Sequence, residues 1–347
     1  MKLYSFLKAI FRPILSGLSV GLRADQVSLY LQDMYKAEWQ SYMAEPTKHD
    51  KIFKVETAPK APGNKSTQLL GLGRLTRHTS ENQDINFRAP VEGWAYYCKY
   101  WTFSDGLVLS KEAVEDVGAA NKVKDLLKDL AATWGESVRF EKETFAATVF
   151  NDGGDLLGSY IFNGSHTGQT DPSGNLLYDS KPLFNLTGNA RTSKGGGTYF
   201  NAVASLTLTP ANFETLYNLF TVSMAFDEQD RVCTANADTL LTECGAQSFL
   251  AKRILTTSQG LPGGQLNDKN VYEGLVQPMD WRYLSDSSAF YVGKKNHPKF
   301  QWHDRQTPDM RFFRDETNRS YKASIDIRFG VWVKDFRAWA KGGGSFA

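Results

Sequence analysis

The stretch from Ser110 to Asn151, SKEAVEDVGAANKVKDLLKDLAATWGESVRFEKETFAATVFN, constrains the fold of this chain more than any other. Ser110 is a good N-cap, and Glu112 and Glu115 put negative charge in the first turns, where the helix dipole favours it. Gly118 interrupts a short first helix. From Ala119 onward, Val123, Leu126, Leu127, Leu130, Trp134, Val138, Phe145 and Val149 recur at helical spacing and share one face. Lys122, Lys124, Asp125, Lys128 and Asp129 occupy the other side, and Asn151, Gly153 and Gly154 stop the helix. About thirty residues at ~1.5 Å each give a rod of roughly 45 Å. Such a rod is a coiled coil, a membrane span or a spine laid across an extended sheet. The frequent charges exclude the span, and Gly135 and Glu141 inside the stripe argue against a strict heptad. The spine remains.

A spine needs a sheet to lie on, and the chain supplies one near its end. Tyr321 to Lys334, YKASIDIRFGVWVK, alternates almost perfectly and reads as a strand about twice the usual length. Phe300 to His303 reads as a strand before it, followed by a charged crossing. Gln68 to Phe103 reads as a long hairpin with a polar tip from His78 to Asp84 and a return through Ile85–Arg88 to Trp94–Trp101. The outer hairpin is too poor in apolar residues to bury itself. Two strands alone are marginal in water, so it needs another surface. Elsewhere the pattern predicts helices over Asp25–Glu45, Pro210–Phe220 (capped by Thr209) and Thr239–Leu255. It predicts strands over Val271–Gln277 and Ala289–Gly293, and loops with short strands over Gly153–Tyr199.

Met1 to Leu22 has the basic start and apolar content of a signal peptide, but Lys8, Arg12 and Pro13 break the apolar run and no small-residue cleavage site follows. Leu3, Phe6, Leu7, Ile10 and Ile14 instead share one helical face. This basic arm packs on its own protein or docks on a neighbouring chain, with membrane contact the weakest of the three readings. Lysine plus arginine number 40 against 38 acids, so no global charge draws the chain to nucleic acid. Cys98, Cys233 and Cys244 form no CxxC and are odd in number, which fits a reduced compartment.

Chemistry is thin. Gly195-Gly196-Gly197 lacks the GK[ST] ending of a phosphate loop and reads as a flexible loop, and Gly71-Leu72-Gly73 lacks a third glycine. Gly164–Gly168 resembles a nucleophile elbow only in its glycines, since His166 is central. His297 and His303, with Asp304, lack a third metal ligand in view.

Several short motifs fall in a telling order: Leu109-Ser110-Lys111-Glu112-Ala113, Val149-Phe150-Asn151, Lys181-Pro182-Leu183-Phe184, Leu206-Thr207-Leu208-Thr209-Pro210, Phe300-Gln301-Trp302, Ile327–Val331 and Asp335–Trp339. From about Ile52 to Lys341 this layout resembles the tailed-phage major capsid proteins of the Hong Kong 97-type fold, and more closely the Mu-like major head subunits. The resemblance implies an α+β fold with an N-terminal arm over 1–50 and an extended hairpin, the E-loop, over 51–106. It implies a peripheral domain with the spine helix over 107–154, an axial domain over 155–290, and peripheral return strands with the C-terminus over 291–347. The implied function is a major capsid protein that self-assembles into pentamers and hexamers of an icosahedral head around double-stranded DNA. Its implied location is the virion, after assembly in the host bacterial cytoplasm. Further implied partners are scaffolding and portal proteins, a decoration protein, and DNA contacted without sequence specificity; no membrane, cofactor, metal or catalytic residue is expected. Arg74, Arg77 and Arg88 on the hairpin, with Phe6 and Ile10 on the arm, are the expected subunit-interface residues. An encapsulin-type cellular shell shares this fold, and a monomeric enzyme or carbohydrate-binding module would also account for the aromatics and glycine loops.

Overall fold

The computed structural model describes residues 36–44, 47–70, 77, 84, 85, 87, 89, 91–110, 120–153, 181–258, 269–315, 317, 320–344 and 346. The expected arm over residues 1–22, residues 25–35 of the second expected helix, the hairpin tip at 78–83, Gly118 and His166 lie outside the described residues. In chain order the elements are α1 (36–44), α2 (His49–Ile52), β1 (Phe53–Thr57), β2 (Gly63–Leu70), β3 (Val91–Lys99), β4 (Trp101–Leu109) and the long helix α3 (Ala120–Asn151). Next come β5 (Arg191–Thr192), β6 (Thr198–Tyr199), β7 (Ala202–Val203), α4 (Pro210–Asn218), β8 (Thr239–Glu243) and α5 (Ala246–Thr256). The chain closes with β9 (Gln277–Trp281), β10 (Phe290–Gly293), β11 (His297–Arg314), β12 (Tyr321–Val333) and β13 (Trp339–Gly342). Helix and strand are mixed, as expected. One sheet has the order β1-β11-β12-β4 and a second β7-β13-β10-β8-β9, while β2–β3 and β5–β6 form two-stranded ribbons.

The chain condenses into two compact units that interleave in sequence. The first takes the described residues of Met1–Thr47, Thr102–Lys142 and Gln306–Arg328; the second takes those of Lys48–Trp101, Glu143–Arg305 and Phe329–Ala347.

Within the first unit the long helix presents two faces. Trp134, Ser137, Val138 and Glu141 line a groove with residues of β4 and β12. About a quarter turn round, Gly135, Arg139 and Lys142 meet α1. A Cβ on Gly135 would come within 2.8 Å of the Tyr42 nitrogen and 3.0 Å of Ser41 Cβ, so a larger residue would force the helices apart. Arg139 donates to the Tyr42 carbonyl with its guanidinium 3.7 Å from the Tyr42 ring, and Lys142 Nζ donates 3.0 Å to the Tyr42 hydroxyl. The glycine that broke the apolar stripe is therefore the point where a second helix rests.

The second unit is built around Phe150, which is fully buried. Tyr291 and Trp339 meet it edge to face at 5.2 and 5.3 Å, Phe300 at 5.8 Å, Trp281 at 6.0 Å and Phe53 at 6.2 Å. Beside this group Trp302 stacks on Phe329 at 4.9 Å, with Phe145 edge-on to Phe329 at 5.1 Å. The last turns of the long helix are thus buried nearly all round, where the sequence pattern indicated one apolar face.

Three further expectations change. Thr239–Leu255 is not one helix: Thr239–Glu243 is a strand between β10 and β9, with Leu240 opposite both Val292 and Pro278. Pairing on both edges overrides local helix preference, and the helix begins only after Gly245. The strand expected at Val271–Gln277 is instead a set of turns, with Gly274 at φ +68, and the strand starts at Gln277. The charged crossing after His303 is strand as well, because β11 runs for 18 residues. Pairing with β1 ends at Asp304, so Pro308 falls where that edge of the strand has no β1 partner to bond. The helix at Pro210 forms as expected, with Thr209 Oγ1 accepting from the Asn212 amide at 3.2 Å.

Phe150→Ala should lower unfolding free energy by about 3–5 kcal/mol, read from the urea midpoint. Phe249→Ala, at a side chain 70% exposed, should change it by no more than about 0.5 kcal/mol.

Candidate functional site

The hairpin forms, with its paired base lying earlier than the sequence pattern placed it. β2 and β3 run antiparallel from Gly63 opposite Lys99 to Leu70 opposite Val91, with a slip between Thr67 and Leu69. Tyr100 ends the pairing, and the chain then enters β4 of another sheet rather than continuing the hairpin to Phe103. Beyond Leu70 the described residues are solvent-facing: Arg77 is exposed, Ile85 is 66% exposed and Phe87 90%. Among the interface residues expected from sequence, Arg77 is described, whereas Arg74, Arg88, Phe6 and Ile10 lie outside the described residues. Ile85 and Phe87 were missed as surface features. The signal was their i, i+2 spacing, which puts both on one side of an extended chain.

A second surface feature belongs to the first unit alone. A cavity of about 410 Å³ lies between Thr102–Asp105 of β4, Ile325 and Ile327 of β12, and the Trp134 face of the long helix. Trp134 Nε1 donates 3.0 Å to Asp105 Oδ2, which fixes the indole against the wall, and burial pushes the Glu141 carboxyl above its ordinary value. The site offers an apolar floor with two acids at its rim.

The buried polar groups serve packing. Glu143, 2% exposed, accepts from the His49 ring at 2.7 Å, the Lys48 amide at 2.8 Å and Trp281 Nε1 at 2.7 Å. Burial works to raise its pKa; the His49 bond and the amides of Lys48 and His49 outweigh that and hold it low. Asp335, 2% exposed, bonds Lys299 Nζ at 2.7 Å and the Arg337 amide and Nη1 at 3.0 and 3.1 Å, and Arg337 Nη1 also reaches Glu228 Oε1. Burial again works to raise it, and Arg337 and Lys299 hold it far below the ordinary carboxylate range. Asp230 takes Ser193 Oγ at 2.5 Å, Tyr199 Oη at 2.8 Å and the Gly197 amide at 2.8 Å, so the Lys194–Gly197 loop is clasped rather than flexible. A Cβ at Gly197 would stand 2.5 Å from Asp230 Oδ1, which explains the glycine.

His303 is buried, with Nδ1 bonded to Tyr100 Oη at 3.0 Å and Nε2 to Gln301 Oε1 at 3.1 Å, so both ring nitrogens are engaged inside the protein. Among the described residues no group of three or more His, Cys, Asp or Glu is arranged to hold a metal ion. Among them, too, no helix is long and apolar enough to cross a membrane.

No protein-family model and no curated protein sequence matches the chain. Solved structures similar to it include the capsid of cyanophage P-SCSP1u, 8% identical over 95% of this chain and 92% of that one, with a TM-score of 0.48. The Mycobacterium phage Patience structure is 9% identical over 96% and 92%, with a TM-score of 0.48. A virus-like particle from Pyrococcus furiosus is 8% identical over 90% and 98%, with a TM-score of 0.46.

Asp335 gives a pH test with a definite sign. Its folded pKa is depressed, so its stabilisation is fully present above the ordinary value of 3.8 and disappears as pH falls through the folded value. Asp335→Asn should cost about 3–5 kcal/mol at pH 7, because it removes one buried carboxylate from Arg337 and Lys299. Urea unfolding should show a constant loss from pH 7 down to the ordinary value of 3.8 and a loss that narrows below it.

Proposed function

We propose that this chain is the major capsid protein of a tailed phage, a subunit that self-assembles into pentamers and hexamers of an icosahedral head around double-stranded DNA. The observation that carries the reading is the hairpin: a hydrogen-bonded base followed by a segment that holds Phe87 90% and Ile85 66% in solvent. In a monomer that apolar area is an aggregation liability, whereas in a closed lattice it is buried against a neighbour. The resemblance of the ordered motifs from Ile52 to Lys341 to capsid proteins of the Hong Kong 97 type supports the same reading. In it residues 51–106 are the extended E-loop, 107–154 carry the spine helix of the peripheral domain, 155–290 form the axial domain and 291–347 return to the peripheral domain. Residues 1–50 form the arm. Arg74, Arg77 and Arg88 meet carboxylates of an adjacent subunit, while Ile85 and Phe87 supply the apolar contact beside them.

The near balance of 40 basic and 38 acidic residues suits a wall that contacts packaged DNA without holding it tightly. Scaffolding, portal and decoration proteins are the remaining expected partners, with assembly in the host bacterial cytoplasm and residence in the virion.

Two variants test the reading by electron microscopy of purified protein. Ile85→Ser with Phe87→Ser should leave circular dichroism and melting temperature unchanged and abolish closed shells. Arg74→Glu with Arg77→Glu should likewise leave the subunit folded and distort or abolish them. Undisturbed particles from both would remove the hairpin from the interface and the reading with it.

A further inference from the structure

Helix α1 carries a feature that the shell reading does not use. Its buried face consists of Ala37, Glu38 and Tyr42, with Ser41 partly exposed beside them; Glu38 is 3% exposed, Ala37 6% and Tyr42 9%. Glu38 Oε1 and Ser41 Oγ are both buried with no hydrogen-bond partner. An ionised carboxylate in such a place is costly, because water has been removed from Oε1 and no hydrogen bond replaces it. The same helix lies backbone-close on the long helix at Gly135, against the Glu38 carbonyl, the Tyr42 amide and the Ser41 side chain, so Glu38, Ser41 and Tyr42 share the face of α1 that meets it.

Among the described residues, the charged groups on the α1-facing side of the long helix are Arg139 and Lys142, and both bond Tyr42. Glu141 points to the groove with Trp134, Glu136 is exposed, and Lys36 of α1 itself faces solvent. Attraction between Tyr42 and the two cations therefore holds α1 down, while Glu38 decides how much that docking is opposed.

We propose that α1 is a proton-closed latch, seated on the long helix when the Glu38 carboxyl is protonated and lifted from it when that carboxyl is ionised. Burial pushes this carboxyl up to about 7 from its ordinary 4.5. The sign follows: a raised folded pKa makes docking strongest below 4.5 and weakens it as pH rises through about 7. Rising pH bares Tyr42 and the Gly135–Arg139 strip; mild acid covers them. α1 and the part of the long helix it meets belong to one unit of one chain, so the latch stands independently of shell formation.

Hydrogen exchange of the full-length protein, followed on peptides covering residues 36–44 and corrected for the intrinsic pH dependence of exchange, tests the latch. From pH 5.5 to pH 8 the protection of these amides should fall about thirtyfold in the wild type. Glu38→Gln, which keeps the shape and removes the charge, should hold the acid-level protection throughout. Glu141→Gln, on the neighbouring face, should follow the wild type. A wild-type profile that is flat between pH 5.5 and 8 would overturn the proposal without recourse to any variant. So would a Glu38→Gln profile that still falls with pH, or a fall removed by Glu141→Gln instead.

Discussion

Enclosure of Phe150 is the constraint on which the larger unit depends. Its edge-to-face neighbours come from β1, β9, β10, β11 and β13, so one side chain ties both larger sheets to the end of the long helix. Each such pair is worth about 0.5–1.5 kcal/mol beyond its buried area, against about 5–15 kcal/mol of net stability for a whole domain. To bring Phe150 in, the last turns of the helix must be buried on all sides, and that drags Glu143 inside as well. A buried carboxylate survives only if its oxygens are bonded. The amides of Lys48 and His49, the His49 ring and Trp281 supply those bonds, and in doing so they seat the short helix α2 immediately ahead of β1. Packing thus creates an electrostatic demand, and the answer to that demand positions the next strand.

The elements legible in the sequence were those with long, one-sided or alternating patterns. The long helix was expected from Ala119 to Asn151 and runs from Ala120 to Asn151; the strand at Tyr321 and the capped helix at Pro210 fall equally close. What escaped is non-local. Leu240 and Leu241 look helical until two strands flank them, and the polar continuation of β11 looks like a crossing until pairing with its neighbours extends it. The Glu143–His49 pair joins residues 94 positions apart, and no spacing rule finds it. For the candidate surface, arginines drew attention because charge is conspicuous in a polar tip. Ile85 and Phe87 did not, because apolar residues in a strand pattern are normally assigned to a core, and only their exposure shows otherwise.

The same molecule therefore holds two kinds of apolar surface. Phe145, Phe150 and Trp302 satisfy themselves within the chain. Ile85 and Phe87 do not, standing 66% and 90% in solvent, whereas Trp134, Ile325 and Ile327 of the groove are themselves buried. On the capsid reading proposed above, association with further copies of the chain covers Ile85 and Phe87.

Sedimentation velocity of the purified full-length chain tests that claim most directly. The account predicts a dominant species far heavier than the 38.9 kDa chain, sedimenting as closed particles or as discrete pentamers and hexamers. A single stable 38.9 kDa species that persists at every concentration and salt condition tried would contradict it.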